Sequence, residues 1–139
     1  MRVAAVLLAT FAFLSACSSV HVDRHPRTDL RKFRHFFVEH RLADNAQVDQ
    51  AIVAELRARG FTASAGPRTM MPADVDALVV YHDDWAWDFK TYLIQLQIEI
   101  RSPHRNQSFA TGIYRQPSPR PKPLPDVVAL LFAELLKQP

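Results

Sequence analysis

The strongest hydrophobic pattern in the chain is an alternation from Tyr92 to Arg101, where Tyr92, Ile94, Leu96, Ile98 and Ile100 interleave with Leu93, Gln95, Gln97, Glu99 and Arg101. A period of two over such a length does not fit a helix. It predicts a strand with one face in a core and one in water, as in antiparallel sheets. Ser108 to Tyr114 reads as the returning partner. The turn between them runs from Ser102 to Gln107, where Pro103 ends the strand and Asn106 tolerates unusual backbone angles. A helical period appears at Val48, Ile52, Val53 and Leu56, one face of a helix from about Ala46 to Arg59. Asp44 and Gln47 are spaced for a capping box, Arg57 and Arg59 suit the negative helix end, and Gly60 suits the C′ position.

Three more strands are predicted. Phe33 to about Arg41 carries β-favouring bulk in Phe33, Phe36, Phe37 and Val38; Phe61 to Ala65 follows the helix; and Ala77 to His82 resumes after breaks at Gly66-Pro67 and Pro72. Prolines at 117, 119, 121, 123 and 125 predict a stiff, extended connector. Pro125 then opens a last helix whose stripe is Val128, Leu131, Phe132 and Leu135, widened by Val127, Leu130 and Leu136. The pattern as a whole predicts an α+β fold: a two-layer sandwich in which two helices cover one face of a mostly antiparallel sheet.

The first sixteen residues differ in kind from the rest. Arg2 supplies charge, Val3 to Leu14 is apolar apart from Thr10, and small residues follow. The run is short for a membrane span, which needs about 20 apolar residues, and suits an export signal. Its end, Leu14-Ser15-Ala16-Cys17, resembles the lipobox of bacterial lipoproteins. That resemblance implies cleavage before Cys17, lipidation of its thiol, and attachment to the periplasmic face of a membrane. Ser18 after the cysteine implies the outer membrane. Several acyl chains on one residue give stable anchoring where one is marginal. The expected organisation is a signal peptide over 1–16, a lipidated cysteine and polar tether over 17–32, and a single periplasmic domain over 33–139.

Composition agrees with one exported domain. The chain has 139 residues, enough for one core, and a single cysteine, which excludes an intramolecular disulfide. A formal charge of +3 gives no case for nucleic acid.

Candidate chemistry concentrates in Tyr81-His82-Asp83-Asp84-Trp85-Ala86-Trp87-Asp88. A catalytic reading takes His82 as general base beside Asp83 or Asp84, but neighbours on a strand face opposite ways and no nucleophile accompanies them. A metal reading takes His82, Asp84 and Asp88, with His104 across the hairpin, although the spacing matches no ligand signature. A purely structural reading packs Trp85 and Trp87 as cross-strand aromatics and leaves the aspartates at a solvated bend. A recognition reading uses Trp85, Trp87, Tyr81 and Tyr92 as anchors for a protein or a polysaccharide.

Phe33 to Tyr114, with a helix ending in Arg59-Gly60-Phe61 and the run from Ala73-Asp74-Val75 to Val79-Val80-Tyr81, resembles short bacterial envelope lipoproteins that carry a domain of unknown function. The proline ladder departs from that pattern, and no functional residues carry over. The expected role is a non-catalytic binding or accessory component of an envelope assembly or transport system, without a cofactor and of open oligomeric state. The alternative is a small envelope enzyme or metal binder using His82 and the nearby aspartates.

Overall fold

The computed structural model describes residues 18–116 and 121–137. The signal, Cys17 and the prolines at 117 and 119 lie outside them. Six strands form one sheet: β1 (Ser19–Arg24), β2 (His35–Glu39), β3 (Thr62–Gly66), β4 (Ala77–Asp88), β5 (Lys90–Arg101) and β6 (Ser108–Arg115). Their order is β1-β6-β5-β4-β2-β3. The pairs from β1 to β4 are antiparallel, whereas β2 runs parallel to both β4 and β3. Helices α1 (Val48–Ala58) and α2 (Leu124–Leu135) cover one face. The α+β sandwich is the architecture that the patterning predicts. Among the described residues no helix is long and apolar enough to cross a membrane.

The core lies between the helices and the sheet. Ile52, Leu56, Val127, Val128, Leu131 and Phe132 meet Phe36, Val38, Val79, Leu96, Ile98, Ile100 and Tyr114, all fully buried. Full burial of each large apolar side chain stabilises the fold by roughly 1.5–3 kcal/mol. The opposite sheet face is largely polar. It carries a small apolar cluster of Phe37, Leu78 and Val75, where the 67–76 crossover packs on it.

Four expectations need correction. The stretch read as a tether contains β1, which pairs along its whole length with β6. Its alternation is weak, since Val20 and Val22 are its only apolar positions and only Val22 and Arg24 turn inward even partly. Arg24 Nε donates to the carbonyl of Leu135 at 3.3 Å, and its Nη2 to that of Glu134. A cation thereby satisfies the C-terminal end of α2. Leu30, in a short 3-10 turn, is also buried.

The capping box does not form. Gln47 sits in the left-handed region at φ 56° and makes no side-chain cap. Asp44 takes the capping role alone, accepting from the N–H of Ala46 and of Asp49, both at 3.1 Å. At the other end Gly60, at φ 91°, occupies the position expected of it.

The third correction concerns β4, which does not end at His82 but runs to Asp88, so the aspartates belong to a long hairpin rather than a bend. The fourth follows from it. The register of β4 and β5 shifts between Asp84 and Trp85, where Trp85 pairs with Leu93 and Ile94 is left over. Beyond this bulge the core face of β5 takes Leu93 in place of Tyr92 and Ile94, which stay half-buried.

Candidate functional site: the aromatic hairpin

The β4–β5 hairpin outruns its neighbours. β6 ends opposite Gln95, and β5 begins at Lys90. The bulge at Ile94 disturbs the ladder at the base of this extension, and buried Gln116 repairs it. Its backbone N–H donates to Ile94 O at 2.9 Å and its Nε2 to Leu93 O at 3.0 Å. Its Oε1 accepts from the Tyr114 hydroxyl at 2.5 Å and from the Lys122 N–H at 3.1 Å. One side chain thus fastens the hairpin base to the segment that enters α2. Sequence reasoning missed Gln116, because nothing in the pattern marks a glutamine after a strand as buried.

Trp85 is half-buried on the helix-covered face, packed against the core. Its Nε1 donates to Asp83 Oδ2 at 2.6 Å, and Asp83 Oδ1 accepts from Arg41 Nη1 at 2.8 Å. The indole therefore has a fixed orientation, with its hydrogen bond made to an ion-paired carboxylate. A cleft lies on each side. One, of about 410 Å³, is lined by Ala43, Asn45, Ala46, Asp83, Trp85 and Thr91. The other, of about 260 Å³, lies between Trp85, Lys90, Tyr92 and the segment from Pro121 to Leu124.

The four aromatic anchors expected from the sequence separate. Trp85 and Tyr92 line the clefts. Trp87 is 75% exposed, with its ring 6.4 Å from that of Phe89, and does not pack across the strands. Tyr81 is buried and presents no surface to a partner. Its hydroxyl donates to Asp44 Oδ2 at 2.6 Å, and the Arg41 guanidinium carbon lies 5.9 Å from its ring centre. Burial, reinforced by the bond to Asp44, pushes the Tyr81 hydroxyl above its usual range. Burial also raises the Asp44 carboxyl, but hydrogen bonds from Tyr81, Val48, Asp49 and Ala46 outweigh it and hold the group below the usual carboxylate range.

The residues of the metal reading are not gathered at one place. His82 Nε2 lies 3.3 Å from Asp84 Oδ1 on the open sheet face, apart from the Asp83 network, and Asp88 stands exposed at the tip. Among the described residues, the group whose possible ligand atoms lie within 4.8 Å of one another is His40, Asp44 and Asp49. His40 Nδ1 is 2.9 Å from Asp49 Oδ2. Asp49 Oδ1 accepts from the Gln50 N–H at 2.8 Å, and both Asp44 oxygens already accept backbone N–H groups. These carboxylates fasten the start of α1, and a cation would have to displace hydrogen bonds already made.

No family profile matches the chain, and no curated protein matches it by sequence. Solved structures do match in fold. The chain is similar to PelC from Paraburkholderia phytofirmans, solved as a dodecamer, at a TM-score of 0.62 and 13% identity over 88% of this chain and 100% of that one. A single-substitution PelC dodecamer from the same organism gives a TM-score of 0.59 and 15% identity over 86% and 96%. A PDZ domain protein from Parabacteroides distasonis gives 0.53 at 12% identity, over 84% of this chain but 36% of that one. At these identities the likeness is one of fold, and the PelC subunit shares it from end to end.

Proposed function

We propose that this protein is a non-catalytic envelope lipoprotein, held by lipid on Cys17 at the periplasmic face of the outer membrane. It works as a subunit of a multimeric assembly or transport device and seats a protein or polysaccharide partner beside Trp85. The observation that carries the reading is the fold likeness to PelC, which covers 88% of this chain and the whole of a protomer crystallised as a dodecamer. Two further features support it. The sheet ends in open edges at β1 and β3, which can pair between copies. The fixed indole of Trp85 divides two clefts, the form that recognition of a sugar ring or an apolar side chain takes. Against catalysis, His82 and Asp84 lie on the open sheet face while Asp83 is spent on Arg41 and Trp85.

Light scattering and intact mass of the mature protein, extracted from membranes in mild detergent, test the reading. The expected result is a protomer cut before Cys17 and carrying lipid, in a multimer of defined size. An unlipidated monomer overturns it. The metal-binding alternative now rests on His40, Asp44 and Asp49 rather than on His82, and equilibrium dialysis against Zn²⁺ with an Asp49→Asn control decides it.

A further inference from the structure

The most exposed large apolar side chains among the described residues are Leu42, Phe89 and Trp87, at 102%, 94% and 75%. Topology sends all three toward one end of the sheet, with Leu42 near the level of Asp83 and the other two beyond it at the tip. Because β2 and β4 are parallel, the loop after β2, with Leu42, and the turn closing β4, with Trp87 and Phe89, leave by the same end. The antiparallel run from β4 to β1 brings the amino terminus there too, since Ser19 pairs with Arg115, and Arg115 with Gln95.

Gln95 pairs with Asp84, and the four steps from there to Asp88 put the tip about 13 Å beyond the level of Ser19, the bulge at Ile94 adding a residue but no height. The chain between Cys17 and Ser19 spans at most about 7 Å. A hairpin set along the membrane normal would therefore carry its tip roughly 6 Å past the attachment point. That matches the depth at which amphipathic segments bury their apolar faces in the headgroup and acyl boundary.

The tip's composition suits that boundary. Phe89 has φ 57°, a left-handed conformation that disfavours a bulky residue, and it is exposed as well. A residue that is both strained and 94% exposed adds nothing to the buried core by being phenylalanine. Trp87 beside it is the residue type that favours membrane interfaces. Lys90 and Lys122 border the same end with positive charge. Asp88 limits the depth to the headgroup level, because a carboxylate is costly in hydrocarbon.

We infer that this end of the domain is a membrane-docking face, with Trp87 and Phe89 at the hairpin tip seated in the interface of the same bilayer that holds Cys17. The inference rests on the lipid anchor proposed above. It leaves the clefts beside Trp85, and not the tip, for the partner.

The chain's two tryptophans both lie in this hairpin, so indole emission reports on it alone. The lipidated Trp85→Phe protein, reconstituted in phosphatidylethanolamine–phosphatidylglycerol vesicles with or without brominated acyl chains, isolates Trp87. The expected result is a blue shift and loss of most Trp87 emission to the brominated lipid, with little effect on Trp85 in the Trp87→Phe protein. Should Trp85→Phe not fold, the wild-type chain read against Trp87→Phe supplies the same difference. Protein that floats with the vesicles while Trp87 stays accessible to aqueous iodide overturns the docking face and leaves the anchor standing. Protection of Trp87 that appears with protein concentration and not with brominated lipid assigns the tip to a second copy, and also overturns it. An unlipidated protein that does not float overturns both readings.

Discussion

Tyr81 on β4 and Asp44 in the loop before α1 share a 2.6 Å hydrogen bond, the tyrosine donating. It joins the central strand to the helix start across 37 residues of sequence. Removing the hydroxyl in Tyr81→Phe should cost about 1–2 kcal/mol. Asp44→Ala also strips the backbone N–H groups at the helix start of their acceptor and should cost about 2–3 kcal/mol. Urea unfolding midpoints measure both. Two unchanged midpoints would show that the network adds no stability.

Acid should weaken the fold in a defined direction. Hydrogen bonds hold the Asp44 carboxyl below the usual range, and those from His35 and Arg34 N–H do the same for Asp76. A carboxyl whose folded pKa is depressed contributes stability that is complete above its unfolded pKa and is lost as pH falls through the folded one. Stability should therefore hold at neutral pH and decline below about pH 4. Asp76→Asn should be less stable at pH 7 and show a shallower decline. An equal slope in the variant would remove Asp76 from the account.

Gly112 lies beneath α2. A Cβ there would meet Leu131 Cδ2 at 3.1 Å and Leu135 Cγ at 3.3 Å, so these leucines would have to give by a few tenths of an ångström. Gly112→Ala should lower stability by about 1–3 kcal/mol through overpacking. Gly66→Ala is the control, since its nearest neighbour would be Phe37 at 3.6 Å, an ordinary contact. Similar thermal midpoints for the two would contradict this packing.

Arg24→Ala should release β1 from α2, since both bonds from the guanidinium go to the last carbonyls of the helix. The loss should be about 1.5–3 kcal/mol, the range for hydrogen bonds to a charged group. Hydrogen exchange should quicken in β1 and at the end of α2 while β4 and β5 stay protected. Uniform acceleration across the sheet would mean that β1 is not a separate unit.

Phe89→Gly tests whether the hairpin tip serves stability or another end. Relief of a left-handed non-glycine residue should raise stability by about 1 kcal/mol. A chain destabilised by this change would show that Phe89 holds the hairpin together through contacts with Trp87.

Much of the fold was legible because its periods are unambiguous. Val48, Ile52, Val53 and Leu56 fall on one helical face, and Leu96, Ile98 and Ile100 on one strand face, and each is buried as that spacing requires. What escaped notice depends on partners distant in sequence. β1 has little apolar patterning of its own and exists because β6 offers it an edge. The bulge at Ile94 reverses the phase of a perfect-looking alternation, and only the pairing with Trp85 reveals it. Of the site, the hairpin's aromatic content was visible, but not its division into a buried tyrosine, a fixed indole and an exposed tip, which Asp44, Asp83 and Gln116 bring about.

β1 also determines how the domain answers a pull. Tension entering at Ser19 along the strand axis loads every rung between β1 and β6 together, in shear, and does not open them one after another. Arg24, at the far end of the strand, is the rivet that passes the strain into α2. A domain pulled at Ser19 would behave less like a float on a leash than like a bracket bolted through its edge.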